Sequence, residues 1–365
     1  MNPFIVIIPL LFFIVFLGCN QIVMNDGSSD PNTENGETQS NRFISIAIIF
    51  ALWVLTAFRS INIGNDTHTY INVFRRIANY GVMDSLYMEK GYQYFNLFIS
   101  RIFGNDGQAL LIICASICYI SIAIFILKES KNCLISTCLT FIFVFSCYTN
   151  TIRQGIAMSI CIPAYIFLQK DKKIISCVFI LIAMQFHYTA VILFFLFLYK
   201  FTPNKFKTVF LLSAVLVLLS LSGVMNRLLL LVIPRGTAYF SSERVGTGYL
   251  ALTYELIRDL IFCYFSYIAY EDNRSDEDRK RMMIFIICVL TTSLSFGMNL
   301  IARANGYLLI LQVVELPNVF INMKNKNKRI YAFLSCAIML TYFIVVQILR
   351  PEWNHLIPYE FWKKN

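Results

Sequence analysis

The sequence has little charge and few histidines or tryptophans. Charged residues make up 14% of its 365 residues, and it contains three histidines and three tryptophans, against 58% hydrophobic residues. A water-soluble core could not absorb so much apolar surface, so this composition excludes an ordinary soluble domain. Apolar runs long enough to cross a hydrocarbon layer of about 30 Å recur along the chain. We therefore expect a single all-α, polytopic membrane domain over residues 1–365.

Motifs for nucleotide, metal and serine chemistry are also missing from the sequence. There is no P-loop, GxGxxG, HExxH or GxSxG pattern, and His68, His187 and His355 lack the spacing of metal ligands. The eleven cysteines lie mostly in apolar segments without a CxxC pair, which indicates small core residues rather than disulfides or zinc ligands. The net charge of +10 is spread over short loops, so it does not indicate nucleic-acid binding. We expect no metal and no cofactor.

The apolar segments predict where the membrane helices lie. They cover residues 3–23, 43–58, 108–127, 134–149, 154–169, 174–199, 208–223, 253–270, 283–300, 304–322 and 330–349. The sequence "FLGCN" (16–20) resembles a lipoprotein cleavage box, but the first ten residues lack the basic residues of a signal peptide, so we expect an uncleaved first helix.

The remaining segments predict loops and surface helices. Residues 24–42 are acidic and rich in Ser, Asn and Gly, which predicts a flexible loop. We expect outer-face loops at 59–107 and 224–252 and an interfacial tail at 350–365. Within the first of these loops, residues 92–103 are typical of an interfacial or re-entrant helix.

Lysine-rich loops indicate the orientation of the chain. The stretches "KESK", "KDKK", "KFTPNKFK", "RSDEDRKR" and "KNKNKR" are the strongest cytoplasmic candidates. All five lie on one side only if residues 174–199 cross outward and return. We therefore predict two short helices there, with His187 and Tyr188 at the outer turn, about twelve spans in total and both termini outside.

In this topology lysines collect on the cytoplasmic side and arginines on the outer side. The guanidinium group of arginine is a planar fork of donors that binds phosphate or carboxylate through two points. The ammonium group of lysine is a point charge, which is sufficient to set the orientation of a membrane protein. Outer arginines therefore indicate an anionic ligand, and a phosphate is the ligand we expect. The alternative is that they reach lipid headgroups, which we favour for Arg75, Arg76, Arg101 and Arg227.

Two polar clusters stand where apolar helices end. In "FRSINIGNDTHTY" (58–70) and "MEKGYQYF" (88–95), a carboxylate could orient a sugar hydroxyl or take its proton; a helix cap is the alternative for the first of these carboxylates. In "YTNTIRQGIAMSI" (148–160), an arginine and a glutamine open an apolar helix, close to amides that favour anions. The candidate residues of these clusters are Arg59, Asp66, Tyr70, Glu89, Arg153 and Gln154.

Further candidates come from the second half of the chain. His187 is a group that titrates near neutral pH, placed at the turn of a broken membrane element beside Tyr188; a hydrogen-bonded structural histidine is the alternative. In "FGMNLIARANGYL" (296–308), Arg303 stands among asparagines. Arg244 lies in the second outer loop and completes the candidate binding residues.

Three of these motifs, in order, carry a resemblance to a known family. With "R-x4-GNDTHTY-x3-F", then "NTIRQGIA", then "QFHYTA", followed by an "IPYEF" tail, residues 42–362 resemble the EpsG family. That family belongs with the Wzy-type polysaccharide polymerases of the bacterial cytoplasmic membrane. The resemblance implies a GT-C-like, all-α architecture of about 11–12 spans with re-entrant or short helices.

The resemblance also implies an activity and its residues. A growing glycan on undecaprenyl diphosphate would be moved, without a metal, onto a lipid-linked repeat unit at the periplasmic or extracellular face. Arg59, Asp66, Arg153, Gln154 and His187 match the motif positions, with either His187 or Asp66 as the base. Expected partners are the lipid-linked oligosaccharide, membrane lipids, a chain-length regulator and a flippase.

Two other functions fit a polytopic chain of this kind. A flippase or transporter of lipid-linked oligosaccharide would place charges at the bilayer midplane and show repeated halves. A membrane acyltransferase acting on surface sugars could use His187 alone. Here the charges gather near one face and no internal repeat is visible, which favours the polymerase.

The predicted topology can be tested by labelling single cysteines. Cysteines introduced at positions 153 and 187 should react with a membrane-impermeant maleimide in intact cells, because both are expected at the outer face. Cysteines at 171 and 326 should react only after permeabilisation. Reaction of 153 and 187 from opposite sides would contradict the topology.

Overall fold

The structure is a computed structural model that describes residues 3–24, 39–86, 88–224, 227, 248–271, 274–297 and 299–363. These residues form helices and one isolated β-bridge, with no strand among them. The all-α, polytopic fold is therefore confirmed. The described parts of the chain divide into two compact units. The first contains residues 1–191, 313–321 and 325–365, and the second contains residues 192–312 and 322–324.

The first unit is built on the N-terminal helices and the last long one. Its α-helices are α1 (Phe4–Met24), α2 (Gln39–Ala57), α3 (Thr67–Tyr80), α4 (Lys90–Phe103), α5 (Gly107–Glu129), α6 (Cys133–Thr140), α7 (Ser146–Asn150), α8 (Ile152–Gln169) and α9 (Lys173–Met184). A π-helical turn, Phe141–Phe145, joins α6 to α7. In this unit α1 packs against α6 and the last long helix, and α2 and α8 pack against α5.

The rest of the chain adds further helices. A 3₁₀ helix spans Tyr188–Phe201 and is followed by α10 (Phe206–Leu221), α11 (Tyr249–Ala269), α12 (Asp276–Ser295) and α13 (Asn299–Ala302). Helices α14 (Asn305–Asn322) and α15 (Lys328–Leu349) and a 3₁₀ turn at Pro351–Trp353 complete the chain. In the second unit α12 packs against α10 and α11.

Helices occupy the apolar segments that the sequence indicates. Five stretches of the described residues are long and apolar enough to cross a membrane: Phe4–Ile22, Gln39–Ala57, Gly107–Glu129, Cys133–Asn150 and Lys328–Leu349. The larger number of spans, about 11–12, stays a prediction. The eleven cysteines are free, and all except Cys147 and Cys177 are buried, as expected of core residues.

The interruption predicted within residues 174–199 is confirmed. Helix α9 ends at Met184, and the 3₁₀ helix begins at Tyr188, so Gln185, Phe186 and His187 form a break. The return of the chain to the cytoplasmic face after this break stays a prediction. The break matters because it leaves backbone groups that neighbouring segments must satisfy.

Two loop boundaries differ from the expectation. Residues 39–42 of the predicted acidic loop are helical, because α2 begins at Gln39; residues 25–38 lie outside the described part. The predicted loop 59–107 contains α3 and α4, and α4 includes the helix expected at 92–103. Helix α3 buries a stripe of residues at helical spacing, which is formed by Thr67, Tyr70, Ile71, Val73, Phe74 and Ile77. Most of the loop predicted at 224–252 is likewise not described.

Candidate active site

Helices α8 and α9 form a hairpin that brings two predicted site residues to the same end. A tight turn at residues 170–172 joins them, and Asp171 there has a left-handed φ of 55°. Along the pair, the rings of Phe167 and Phe179 stack with centroids 5.5 Å apart. Arg153 is the second residue of α8 and His187 follows the end of α9, so both lie at the end opposite the turn.

A carboxylate from another segment joins these two helix ends. The Glu89 Oε2 atom accepts a charged hydrogen bond from Arg153 Nη1, and its Oε1 atom accepts one from the backbone N–H of Tyr188 at 3.1 Å. The side chains of Arg153 and Glu89 are 20% and 21% exposed. We call this arrangement the Glu89 bridge. It links the start of α4, the start of α8 and the break after α9.

The first turn of α4 is pressed against the break by two further contacts. The Tyr92 N–H donates to the Gln185 carbonyl at 3.1 Å, and the rings of Phe95 and Phe186 meet edge to face at 5.7 Å. Gly91 makes this approach possible: a Cβ atom there would lie 2.5 Å from the Gln185 Cβ and 2.7 Å from its carbonyl oxygen. Backbone polar groups at the break after α9 are thus bound by the Tyr92 N–H in the first turn of α4 and by the Glu89 carboxylate just before it.

His187 is partly buried beside the Glu89 bridge. Its Nδ1 atom lies 2.6 Å from the Thr189 hydroxyl, and its backbone N–H donates to the Ala183 carbonyl at 3.0 Å. The contact with Thr189 therefore fixes the orientation of the His187 ring through its Nδ1 atom. The neighbouring Tyr188 is 64% exposed and presents an open aromatic surface at the same place.

Two buried tyrosines support the Arg153 side chain. The Arg153 guanidinium carbon lies 5.9 Å from the centre of the Tyr70 ring, and Tyr70 and Tyr92 meet edge to face at 6.0 Å. Tyr70 is only 5% exposed. Burial raises the pKa of the Tyr70 hydroxyl despite the opposing charge of Arg153, so this hydroxyl stays neutral. In this conformation Tyr70 supports the arginine and does not present a face for stacking.

Arg59 lies in a different environment from the one expected for a ligand-binding arginine. It is 1% exposed, and it donates to the Thr56 carbonyl and, at 3.4 Å, to the Thr67 hydroxyl. Burial lowers the pKa of Arg59 to about 10, so it remains protonated at neutral pH. A residue covered in this way holds the loop together and cannot reach a substrate in this conformation.

The C-terminal tail covers the loop that contains Arg59. Ser60 N–H donates to the Glu360 carbonyl, and Trp362 N–H donates to the Phe58 carbonyl, both at 2.8 Å. Arg59 itself forms an isolated antiparallel bridge with Phe361. Only Pro351–Trp353 is helical in the described tail, which otherwise lies on this loop without regular secondary structure apart from the bridge. Its position at the membrane interface stays a prediction.

The same loop contacts the end of α7. Asn65 N–H donates to the Asn150 side-chain oxygen at 2.7 Å, and Asn150 in turn donates to the Asn354 side-chain oxygen at 3.0 Å. Gly64 has a φ of 85°, and a Cβ atom there would lie 2.7 Å from the Thr149 carbonyl oxygen. The "IGNDT" and "YTN" motifs thus meet through polar contacts, which explains their asparagines and glycine.

The two remaining candidates near this region differ in exposure. Asp66 is exposed and occupies the N-cap position of α3, where the helix-cap alternative expects it, but its side chain makes no capping hydrogen bond. Its carbonyl accepts from the Tyr70 N–H, which places it one turn from the tyrosine that supports Arg153. Gln154 is 5% exposed and sits next to Arg153 in the first turn of α8.

Two other predicted arginines, Arg303 and Arg244, are not among the residues that form the Glu89 bridge. Arg303 belongs to the second unit and is exposed, and Arg244 lies outside the described residues.

The second unit contains a buried polar network that the sequence analysis did not predict. Asp259 accepts from Arg258 at 2.9 Å and from the Thr292 hydroxyl at 2.6 Å. The detectable signal was a carboxylate inside an apolar segment, which is costly unless it is paired.

This buried network has the character of a structural clamp. The Thr292 hydroxyl also accepts from the Asn305 side chain at 2.7 Å, so one carboxylate connects α11, α12 and the start of α14. Within the described ranges, no group of three or more His, Cys, Asp or Glu side chains is placed to hold a metal ion.

Comparison with known families decides which class of protein this is. The profile of the EpsG family matches residues 42–361, which is most of the chain and contains every element of the Glu89 bridge. The chain belongs to the EpsG family. Comparisons with curated proteins and with solved structures give no match. EpsG family proteins are Wzy-type polymerases of the inner membrane, so membership indicates a polysaccharide polymerase with glycosyltransferase-like activity.

The close approach at Gly91 yields a stability prediction. Gly91→Ala should push α4 away from Gln185 and lower the free energy of unfolding by about 1–3 kcal/mol, as overpacking usually does. Thermal unfolding in detergent, followed by tryptophan fluorescence, measures the effect. Gly248→Ala is the control, because a Cβ atom there meets no heavy atom within 4 Å. Equal melting temperatures for the two variants would contradict the close contact.

Proposed function

We propose that this EpsG protein transfers a growing glycan from undecaprenyl diphosphate to a lipid-linked repeat unit at the outer face of the bacterial cytoplasmic membrane. The observation that carries the proposal is the Glu89 bridge beside His187. It gathers a guanidinium group, a carboxylate and an imidazole at one end of the α8–α9 hairpin, although they are far apart in the sequence. These are the groups that transfer from a diphosphate to a hydroxyl requires.

The proposed step is a displacement at the anomeric carbon of the donor glycan. The hydroxyl oxygen of the acceptor sugar forms a bond to this carbon, while the bond from the carbon to the phosphate oxygen breaks. The electron pair of the broken bond leaves with undecaprenyl diphosphate, and the hydroxyl proton passes to His187. Arg153 stabilises the negative charge that grows on the leaving diphosphate, because a fixed guanidinium needs no reorganisation during the step.

The contact between His187 and Thr189 is consistent with a base at His187. If Nδ1 carries the proton and donates to the Thr189 hydroxyl, then Nε2 is the ring nitrogen that takes the acceptor proton. Asp66 is the alternative base. It is exposed one turn from Tyr70, whereas His187 adjoins the residue whose amide is held by Glu89, and we therefore favour His187.

Other parts of the proposal follow from the family and from the exposed groups. Tyr188 and Tyr94, which are 64% and 61% exposed, are suitable for stacking on sugar rings. We propose that the transfer needs no metal, because Arg153 supplies the positive charge for the leaving group. A chain-length regulator and a flippase are the proposed protein partners.

Substitutions at Arg153 and His187 test the proposal. Arg153→Ala should reduce polymer formation by about 100-fold or more, the usual loss when a charge-stabilising donor is removed. His187→Ala should reduce it by about 100-fold to 10,000-fold, as expected for a general base. The measurement is polymer length and yield from purified protein and lipid-linked repeat unit, with and without a chelator.

The control for this experiment is Arg101→Ala, which removes an exposed arginine from the last turn of α4. It should leave the polymer unchanged. Normal polymer from both Arg153→Ala and His187→Ala, at protein levels equal to wild type, would contradict the proposed roles. Loss of polymer on adding the chelator would contradict metal independence. If the variants retain the lipid-linked unit on the inner leaflet of cells, the protein is a flippase instead. If they make a full-length polymer with altered ester content, it is an acyltransferase.

A further inference from the structure

The Glu89 carboxylate occupies a position built from anion-binding donors. One oxygen accepts from the guanidinium of Arg153 and the other accepts from the Tyr188 N–H at 3.1 Å. A guanidinium fork and a backbone amide are the donors that proteins also use for phosphate oxygens. Both carboxylate oxygens are therefore bound where two oxygens of a phosphate could be bound.

The local structure of α4 does not require the carboxylate to be there. Glu89 precedes α4 at its capping position, but its side chain makes no capping hydrogen bond to that helix. The adjacent Lys90 is paired with Asp84, so it does not hold Glu89 either. The position of the carboxylate is thus determined by Arg153 and Tyr188, and its partial exposure makes it reachable from outside the fold.

We propose that Arg153 and the Tyr188 amide form the subsite for a phosphate of the lipid diphosphate, and that Glu89 is a resident anion which the substrate displaces. This inference rests on the proposed function for the identity of the substrate. A diphosphate carries more charge than a carboxylate and can accept more hydrogen bonds, so it replaces Glu89 on the guanidinium. The released carboxylate turns toward the exposed side of α4.

A competing carboxylate has a consequence for turnover. It weakens the binding of the incoming substrate, and it equally weakens the binding of the undecaprenyl diphosphate that remains after each transfer. When Glu89 returns to Arg153, the product is expelled and the arginine regains a partner. Because a polymerase must release this product in every cycle, the exchange favours release over tight binding.

A purely structural role for Glu89 makes the opposite prediction. If the carboxylate only clamps α4 to the break, its removal would loosen the site, lower the melting temperature and weaken the binding of a diphosphate. If it competes with the ligand, its neutralisation would strengthen that binding. The direction of the change in affinity therefore separates the two roles.

The experiment measures the binding of farnesyl diphosphate to the purified full-length protein in detergent. Glu89→Gln keeps the shape of the side chain but removes its charge, so it should bind the probe about tenfold more tightly than wild type, which corresponds to about 1.4 kcal/mol. Glu89→Asp keeps the charge but withdraws the carboxylate by one methylene, and it should tighten binding to a smaller extent. Arg153→Gln should abolish the gain when combined with Glu89→Gln.

The matched control is Glu352→Gln, which makes the same change of charge at an exposed ion pair with Arg350, 3.6 Å apart. It should leave the affinity for farnesyl diphosphate unchanged, and farnesol should bind all variants equally. In the polymerisation assay, Glu89→Gln should lower KM and also lower kcat, because product leaves more slowly.

Unchanged or weaker binding of farnesyl diphosphate by both Glu89 variants would overturn the inference, as would an equal gain in Glu352→Gln. Failure of this inference and failure of the proposed function give different results. If the protein is not a polymerase, Glu89→Gln still binds the diphosphate more tightly but no variant makes polymer. If only the inference is wrong, polymer formation still depends on Arg153 while the Glu89 variants show no gain in affinity.

Discussion

The contact of Glu89 with Arg153 and the Tyr188 amide is the constraint on which the site depends. It joins three places where the chain departs from regular helix: the loop before α4, the start of α8 and the break after α9. Near a membrane, each of these departures exposes backbone groups or charges that must be satisfied by protein. The Glu89 carboxylate binds the Arg153 guanidinium and the Tyr188 N–H together. His187 directly precedes Tyr188, so the same contact helps to position it.

A second set of contacts fixes the loop next to this site. The tail from His355 to Trp362 lies on the loop that carries Arg59, through backbone hydrogen bonds that need no particular side chains. Arg59 is thereby enclosed and donates to Thr56 and Thr67. Two arginines from similar sequence contexts thus have different roles: Arg59 stabilises a loop, while Arg153 stays accessible beside a carboxylate.

The sequence predicted the helices and the break because both follow from local rules. Apolar length predicts the helices, and lysines at both ends of residues 174–199 indicate an interruption there. The pairing of Glu89 with Arg153 could not be read in this way, since 64 residues separate them and only the packing of α4 on the break brings them together. The burial of Arg59 and the hydrogen bond from Thr292 to Asp259 also depend on long-range packing, which hydropathy does not record.

The decisive measurement is a structure of the protein in lipid nanodiscs with a bound repeat unit linked to undecaprenyl diphosphate. A phosphate should lie within hydrogen-bond distance, about 3 Å, of both the Arg153 guanidinium and the Tyr188 amide. The Glu89 carboxylate should have left both donors, and the first sugar should lie beside His187. A headgroup bound elsewhere on the protein, with the Arg153–Glu89 pair intact, would contradict it.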